Sequence, residues 1–174
     1  MTEQNDNAPA DNSASANANE PRFSLQKIYM KDLSFEAPNG LILPKSMPKV
    51  SQDLNTTVNK LKEDLYEVIL KLTVTVNYGE KVAFLIEVHQ AGAFTIGGLD
   101  GAQVQQITST YCANILFPYA REAIDNMAVR GGFPPLALPA INFDALFMQA
   151  MSEARNHPGS EATPASAEPT EGNS

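Results

Sequence analysis

Residues 66–90 read Tyr66-Glu-Val-Ile-Leu-Lys-Leu-Thr-Val-Thr-Val-Asn-Tyr-Gly-Glu-Lys-Val-Ala-Phe-Leu-Ile-Glu-Val-His-Gln90, and their alternation decides the fold. Tyr66, Val68, Leu70, Leu72, Val74 and Val76 fall on one face of an extended chain, with Glu67, Ile69, Lys71, Thr73, Thr75 and Asn77 on the other. Asn77-Tyr78-Gly79-Glu80 supplies a turn whose glycine is free to take positive φ. Residues 81–90 then return as the antiparallel partner. A long hairpin is the centre of the predicted fold.

Outward from the hairpin, Ala93 to Ile96 predicts another strand that ends at Gly97-Gly98, and residues 23–36 predict a first strand. Pro38, Gly40, Pro44 and Pro48 make residues 37–56 an irregular connection with a short strand at most, and residues 58–64 read either way. After Gly101 the character changes. Residues 102–130 favour helix, with a kink expected at Asn114–Pro118 because Pro118 lacks a backbone donor. Gly131-Gly132 stops that helix, and Pro134, Pro135 and Pro139 make residues 131–141 an extended connector. Asn142 can cap a final helix whose Phe143, Leu146, Phe147, Ala150 and Met151 fall at i, i+3, i+4, i+7 and i+8. Strands first and helices last predict an α+β fold, an antiparallel sheet with helices packed on one face.

A chain of 174 residues with 43% hydrophobic content suits one domain with a modest core. Its net charge of −8 is placed unevenly. Glu3, Asp6, Asp11, Glu20, Glu161, Glu168 and Glu171 lie in two terminal stretches that hold no Lys or Arg. Removing those 7 from the 20 acids leaves 13 against all 12 basic residues, so the middle of the chain is nearly neutral. Residues 1–21 and 156–174 have too few large apolar side chains to offset their ordering entropy and are expected to be disordered, leaving a folded domain at 22–155. A neutral core with acidic tails argues against nucleic acid or an anionic membrane as the main partner. No apolar run reaches the roughly 18–20 residues that span a bilayer. The start, Met-Thr-Glu-Gln-Asn-Asp, has neither the basic residues nor the apolar run of a signal peptide. The expectation is a soluble cytoplasmic protein without membrane insertion.

Catalytic chemistry finds little to work with. Cys112 is the single cysteine, which excludes an internal disulfide and a cysteine-rich zinc site; in a helix such a residue usually fills core space. His89 sits on the hairpin and His157 in the C-terminal tail, neither with a neighbour at metal-ligand spacing, and nothing in the sequence brings Cys112 to His89. Gly97-Gly98-Leu99-Asp100-Gly101 lacks the Lys-Ser/Thr of a phosphate-binding loop and reads as a tight strand-to-helix turn. No cofactor or metal is expected.

Two features stay open on the residues alone. Lys31-Asp-Leu-Ser-Phe-Glu-Ala-Pro38 puts Asp32 and Glu36 on one strand face and Leu33 and Phe35 on the other. The carboxylates are either solvated surface or a docking edge for a basic partner. Ile115-Leu116-Phe117, Phe133 with Leu136 and Leu138, and Phe143-Leu146-Phe147-Met148 exceed what a two-layer domain of this size comfortably hides. They serve either core and oligomer packing or the binding of other chains' apolar segments, for which a Met and Phe mixture is adaptable.

These stretches carry a resemblance. Lys31–Pro38, Asn114-Ile-Leu-Phe-Pro-Tyr-Ala-Arg-Glu122, Gly132-Phe-Pro-Pro and Asn142-Phe-Asp-Ala-Leu-Phe147 resemble, in order and across the whole predicted domain, the SecB family of protein-export chaperones. The resemblance implies a four-stranded antiparallel sheet with two helices, assembled as a homotetramer that is a dimer of dimers. It implies an ATP-independent holdase without catalytic activity, which keeps unfolded secretory precursor proteins competent for translocation and delivers them to the SecA motor. By the same resemblance Asp32, Glu36, Leu85 and Glu87 match the SecA-docking positions, and Ile86, Val88 and Gln90 match positions tied to tetramer assembly. The client groove is expected along Phe133, Leu136, Leu138, Phe143, Leu146 and Phe147. Where the family commonly has proline after the helix cysteine this chain has Ala113, and its two tails have no assigned match. Two rivals are a SecB-like chaperone of a toxin–antitoxin pair and a small thiol enzyme built on Cys112.

Overall fold

The hairpin is the spine of the sheet. The computed structural model describes residues 20–40 and 47–156, so the stretches expected to be disordered lie outside the described residues except for residues 20, 21 and 156. Strands β3 (Leu65–Tyr78) and β4 (Lys81–Gly97) pair antiparallel, joined by a turn in which Gly79 takes φ +64°. β1 (Arg22–Glu36) adds to the free side of β4, and β2 (Lys49–Lys62) to the free side of β3. The order β1-β4-β3-β2 makes a four-stranded sheet with two edges.

Two strand boundaries differ from expectation. β2 runs for 14 residues where the sequence predicts an irregular connection and an ambiguous stretch. It is an edge strand, exposed over most of its length, so its polar residues are tolerated on both faces and its alternation is faint. Residues 93–96 are not another strand but the end of β4, which runs through Gly92 unbroken. Gly92 is there because a Cβ would stand 2.6 Å from the ring of Phe94 and 3.0 Å from Leu116.

One face of the sheet is covered by a rod spanning residues 101–130. Asp100 caps α1 (Gly101–Ile107) by accepting from the Gln103 amide at 2.8 Å, while the Gln103 side chain accepts from the Asp100 amide at 3.0 Å. The Gly97–Gly101 segment is therefore a strand-to-helix turn. A π-helical turn follows at Thr108–Cys112, then α2 (Ala113–Arg130). The irregularity thus precedes the stretch where Pro118 predicts a kink, and Pro118 sits inside α2. The hydroxyls of Thr108 and Thr110 donate to the Val104, Gln105 and Gln106 carbonyls at 2.9–3.0 Å, satisfying acceptors around the widened turn.

The core lies between this rod and the strands. Leu70, Leu72, Val74, Ile86, Val88 and Phe94 from the sheet meet Leu116, Ala120, Ile124 and Ala128 from α2, all buried. Each fully buried large side chain contributes about 1.5–3 kcal/mol of burial. Phe35 from the Lys31–Pro38 octet joins them, stacked on Phe84 at 5.8 Å between ring centroids. A Cβ on Gly131 would collide with the Phe35 ring, so the helix stop is also a packing requirement. After the connector, α3 (Phe143–Asn156) starts at Asn142, whose Oδ1 accepts from the Ala145 amide at 3.0 Å.

Candidate functional site

The two sheet faces present different chemistry. Directly paired residues share a face, and β1–β4 pairing sets Asp32 against His89, Ser34 against Glu87 and Glu36 against Leu85. The next strand continues these rows with Lys71, Thr73 and Thr75. The rod packs on the even-numbered residues of β3 and β4, so these rows lie on the uncovered face. Asp32, Glu36, Leu85 and Glu87 therefore form one cluster on adjacent strands, with Asp32 and Glu36 on the sheet edge and exposed. His89 Nε2 lies 2.7 Å from Glu87 Oε1 within the cluster.

Farther along the same face, Glu67 ties three strands together. It accepts from the Tyr29 hydroxyl, from Lys31 Nζ at 2.9 Å to each carboxylate oxygen, and from Asn59 Nδ2 at 2.9 Å. The Tyr29 hydrogen bond is the largest cause of a Glu67 pKa lowered to about 2, with Asn59 and Lys31 adding to it and burial opposing. Donation to Glu67 is likewise the largest reason that Tyr29 is pushed up to about 12, followed by burial and the adjacent negative charge. Lys31 reaches this site because it is the extra residue at a register shift between Met30 and Asp32.

On the helix side, the rod covers β3 and β4 but leaves β2 open. Two separate cavities lie along β2, one against α3 and one against the connector, and together they make up what we call the trough. One, of about 330 Å³, is walled by Leu54 and Thr56 of β2 and by Phe143, Leu146, Phe147 and Met151 of α3. The other, of about 160 Å³, lies among Pro48, Val50, Val76, Tyr78 and the Pro134–Leu136 arch. On the far side of α3, Gln106, Phe147, Met148 and Met151 border a further cavity of about 440 Å³. Leu146 is 45% and Met148 66% exposed, a large apolar area for one short helix.

The expected groove residues divide. Leu146 and Phe147 line the trough, and Leu136 lines its smaller cavity. Phe133 and Leu138, 7% and 4% exposed, line neither cavity, which corrects their reading as lining, whereas Phe143 is 3% exposed but borders the larger one. Phe133 packs at 4.5 Å on Phe84 and Phe143 edge-on to Phe117 at 5.8 Å, so they anchor the walls, with the Phe143 edge reaching the cavity. Ile86, Val88 and Gln90 also fall inside the protomer. Ile86 and Val88 lie under the rod, and Gln90 donates to the Tyr29 carbonyl at 2.9 Å. The free apolar strip on that side is instead Phe23, Leu25, Met30 and Leu33 of β1, with exposed Tyr111 edge-on to Phe23 at 5.0 Å.

Cys112 and His89 occupy opposite sides of the sheet. Burial pushes the Cys112 thiol up to about 12, which keeps it protonated and inert at neutral pH. Among the described residues no group of three or more His, Cys, Asp and Glu could hold a metal ion, and no helix is long and apolar enough to cross a membrane.

Sequence reading missed the fixing of the connector. Oδ1 of Asp125, on α2, accepts from the Leu136 amide at 2.9 Å and the Ala137 amide at 3.0 Å, and Arg121 Nη1 donates to the Leu138 carbonyl at 3.4 Å. Ala137 takes φ +48°, a left-handed conformation costing an alanine roughly 1–2 kcal/mol. An aspartate little more than a turn before a helix end carries no signal that it will hold a downstream loop.

Comparison with known proteins assigns this architecture. The family described as preprotein translocase subunit SecB matches residues 16–154. A protein-export protein SecB from Saccharophagus degradans is 53% identical over 157 residues, 88% of this chain and 90% of that protein. Its counterpart in Pseudomonas syringae pv. tomato is 52% identical, covering 91% and 97%. Among solved structures, a SecB-like chaperone from Mycobacterium tuberculosis, in complex with a peptide from an antitoxin, shares the fold: TM-score 0.61 at 15% identity, covering 70% of this chain and 91% of that one. The match over most of the chain, together with the four-stranded sheet and its two helices, establishes that this protein belongs to the SecB family.

Proposed function

We propose that the protein is an ATP-independent cytosolic holdase that binds unfolded secretory precursors and hands them to the SecA motor for export. The observation that carries the reading is the open trough over β2, where Leu146, Phe147 and Met151 face a strand that, among the described residues, is an edge of the sheet. An extended client segment can pair with that edge through its backbone and seat apolar side chains against α3, which asks little of its sequence. Flexible Met and aromatic walls suit many clients. Binding only unfolded chains draws the client's folding equilibrium toward the unfolded state by mass action.

The exposed carboxylate cluster on the other face supports delivery. Asp32, Glu36 and Glu87 around Leu85 offer a basic partner charge and an apolar contact, and SecA is the partner that the export reading supplies. Client and motor would then occupy opposite faces, so docking need not displace the cargo. For assembly, the β1 strip of Phe23, Leu25, Met30 and Leu33 is the contact face offered to a second copy, on the way to a dimer of dimers. Ile86, Val88 and Gln90 flank that strip on the neighbouring strand, β1 pairing Leu33 with Val88 and Met30 with Gln90. Several copies attached to one client would raise affinity without sequence specificity.

The relatives near 50% identity are export proteins, whereas the likeness to the antitoxin-bound chaperone concerns the fold alone. The test is refolding of an export precursor with and without the protein, with light scattering for oligomer mass. Arrested refolding at stoichiometric protein is the expected result, and unimpeded refolding in the presence of a verified oligomer would refute the reading.

A further inference from the structure

We infer that Asp125 is a positioning residue for client binding: from α2 it holds the connector arch that forms one wall of the trough. The inference rests on the capture reading above and concerns how firmly the trough is built. Four observations meet at this point. Phe133 and Leu138 are buried and pin the two ends of a short connector segment. Between them, Pro134, Pro135 and Leu136 face Val50 of β2 and the preceding Pro48 across the smaller cavity. The segment passes through a left-handed residue at Ala137, which has no polar side chain to stabilise that conformation locally. A single oxygen, Asp125 Oδ1, accepts from both amides of the bend, at 2.9 and 3.0 Å.

Prolines cannot donate, so Pro134 and Pro135 leave the arch without amide protons to bond elsewhere. The Leu136 and Ala137 amides are its remaining donors, and both are committed to Asp125. A carboxylate acceptor makes these charge-assisted bonds, stronger than amide–carbonyl pairs. Without them the bend can relax toward ordinary negative φ, turning Leu136 relative to β2. A client side chain in the cavity would then meet a mobile wall and bear the ordering cost that Asp125 now carries in the free protein. Asp125 touches no client; it acts through Leu136.

The test compares the full-length protein with Asp125→Ala and Asp125→Asn. It reads amide hydrogen exchange and the release rate of a reduced and alkylated, permanently unfolded model protein. Asp125→Ala is expected to speed exchange at Leu136 and Ala137 about tenfold or more, while Leu116 and Ile124 keep wild-type protection. Client release should quicken by about fivefold, and Asn, which keeps an acceptor oxygen, should stay within about twofold of wild type. Unchanged exchange overturns the clamp. Faster exchange with unchanged release overturns its link to the trough. A wild-type protein that captures no client refutes the capture reading, and the positioning role with it, while the exchange data still report on the clamp. Should Asp125→Ala lose protection at Leu116, Ala137→Gly is added to it, because glycine takes the left-handed φ without strain and needs the clamp less. Release slowed back toward wild type by the added glycine supports the inference, and release unchanged by it overturns it.

Discussion

The helix side of the sheet divides into two strips that differ in composition and behave as opposites. Over β3 and β4 it is sealed by α2: Leu70, Leu72, Val74, Ile86 and Val88 are fully buried. Over β2 the rod is absent, and Val50 and Val58 remain exposed. The residues that hold the fold together are thus separated from those free to meet another chain. The rod lies over the strands whose helix side is apolar, and leaves open the one that carries Gln52, Thr56 and Lys60 on that face.

Substitutions on the two strips should therefore separate stability from binding. Leu116→Ala, under the rod, should lower unfolding free energy by about 2–5 kcal/mol, read by chemical denaturation. A loss below about 1 kcal/mol would mean that the seal is not where stability resides. Replacing Leu146 and Phe147 together by Ala should weaken capture of an unfolded precursor roughly tenfold while costing far less stability, because the trough wall is already solvated. Equal capture by an intact oligomer would erase the distinction between the strips.

The outer face extends the comparison. Asp32→Lys with Glu36→Lys should weaken motor binding several-fold, more at low salt than at high, with client capture intact. Salt-independent binding would remove the electrostatic docking idea. The smallest effect concerns the Glu67 network. Its carboxyl pKa is lowered from 4.5 to about 2, so its stabilisation is complete above pH 4.5 and lost as pH falls toward 2. The Tyr29 hydroxyl is raised from 10.0 to about 12, so its contribution is complete below pH 10 and lost as pH rises toward 12. Thermal melts of Glu67→Gln should lack the acidic decline that wild type shows across that window, and parallel declines would assign it to other carboxylates.

Legibility in the sequence follows the same division. β3 and β4 alternate clearly because one face is sealed, and the turn at Gly79 announces itself. β2 is illegible because an edge strand with solvent on both sides needs no alternation, and Asp64 turns the chain into β3 at φ +58° without glycine. The octet's geometry is legible: Phe35 points into the core, and Asp32 and Glu36 lie together outside. Phe133 and Leu138 read as groove lining because an apolar residue beside prolines gives no indication of which way it faces, and the depth at which Phe143 is anchored is equally hidden. The partners of the two phenylalanines, Phe84 and Phe117, are about 50 and 26 residues away in the chain, a distance no local pattern spans.

The π-helical turn at Thr108–Cys112 has a consequence for how the rod divides its attention. A single added residue advances the downstream helix by about 100° around its axis relative to regular winding. The stripe that would have continued from α1 is thereby re-aimed, so one continuous rod supports α3 with its early part and roofs the sheet with its later part. Deleting one residue from that turn would preserve composition, length to within one residue, and helix content. It would nevertheless rotate the roof against its foundation, and the phase of a helix, not its sequence, would be the thing lost.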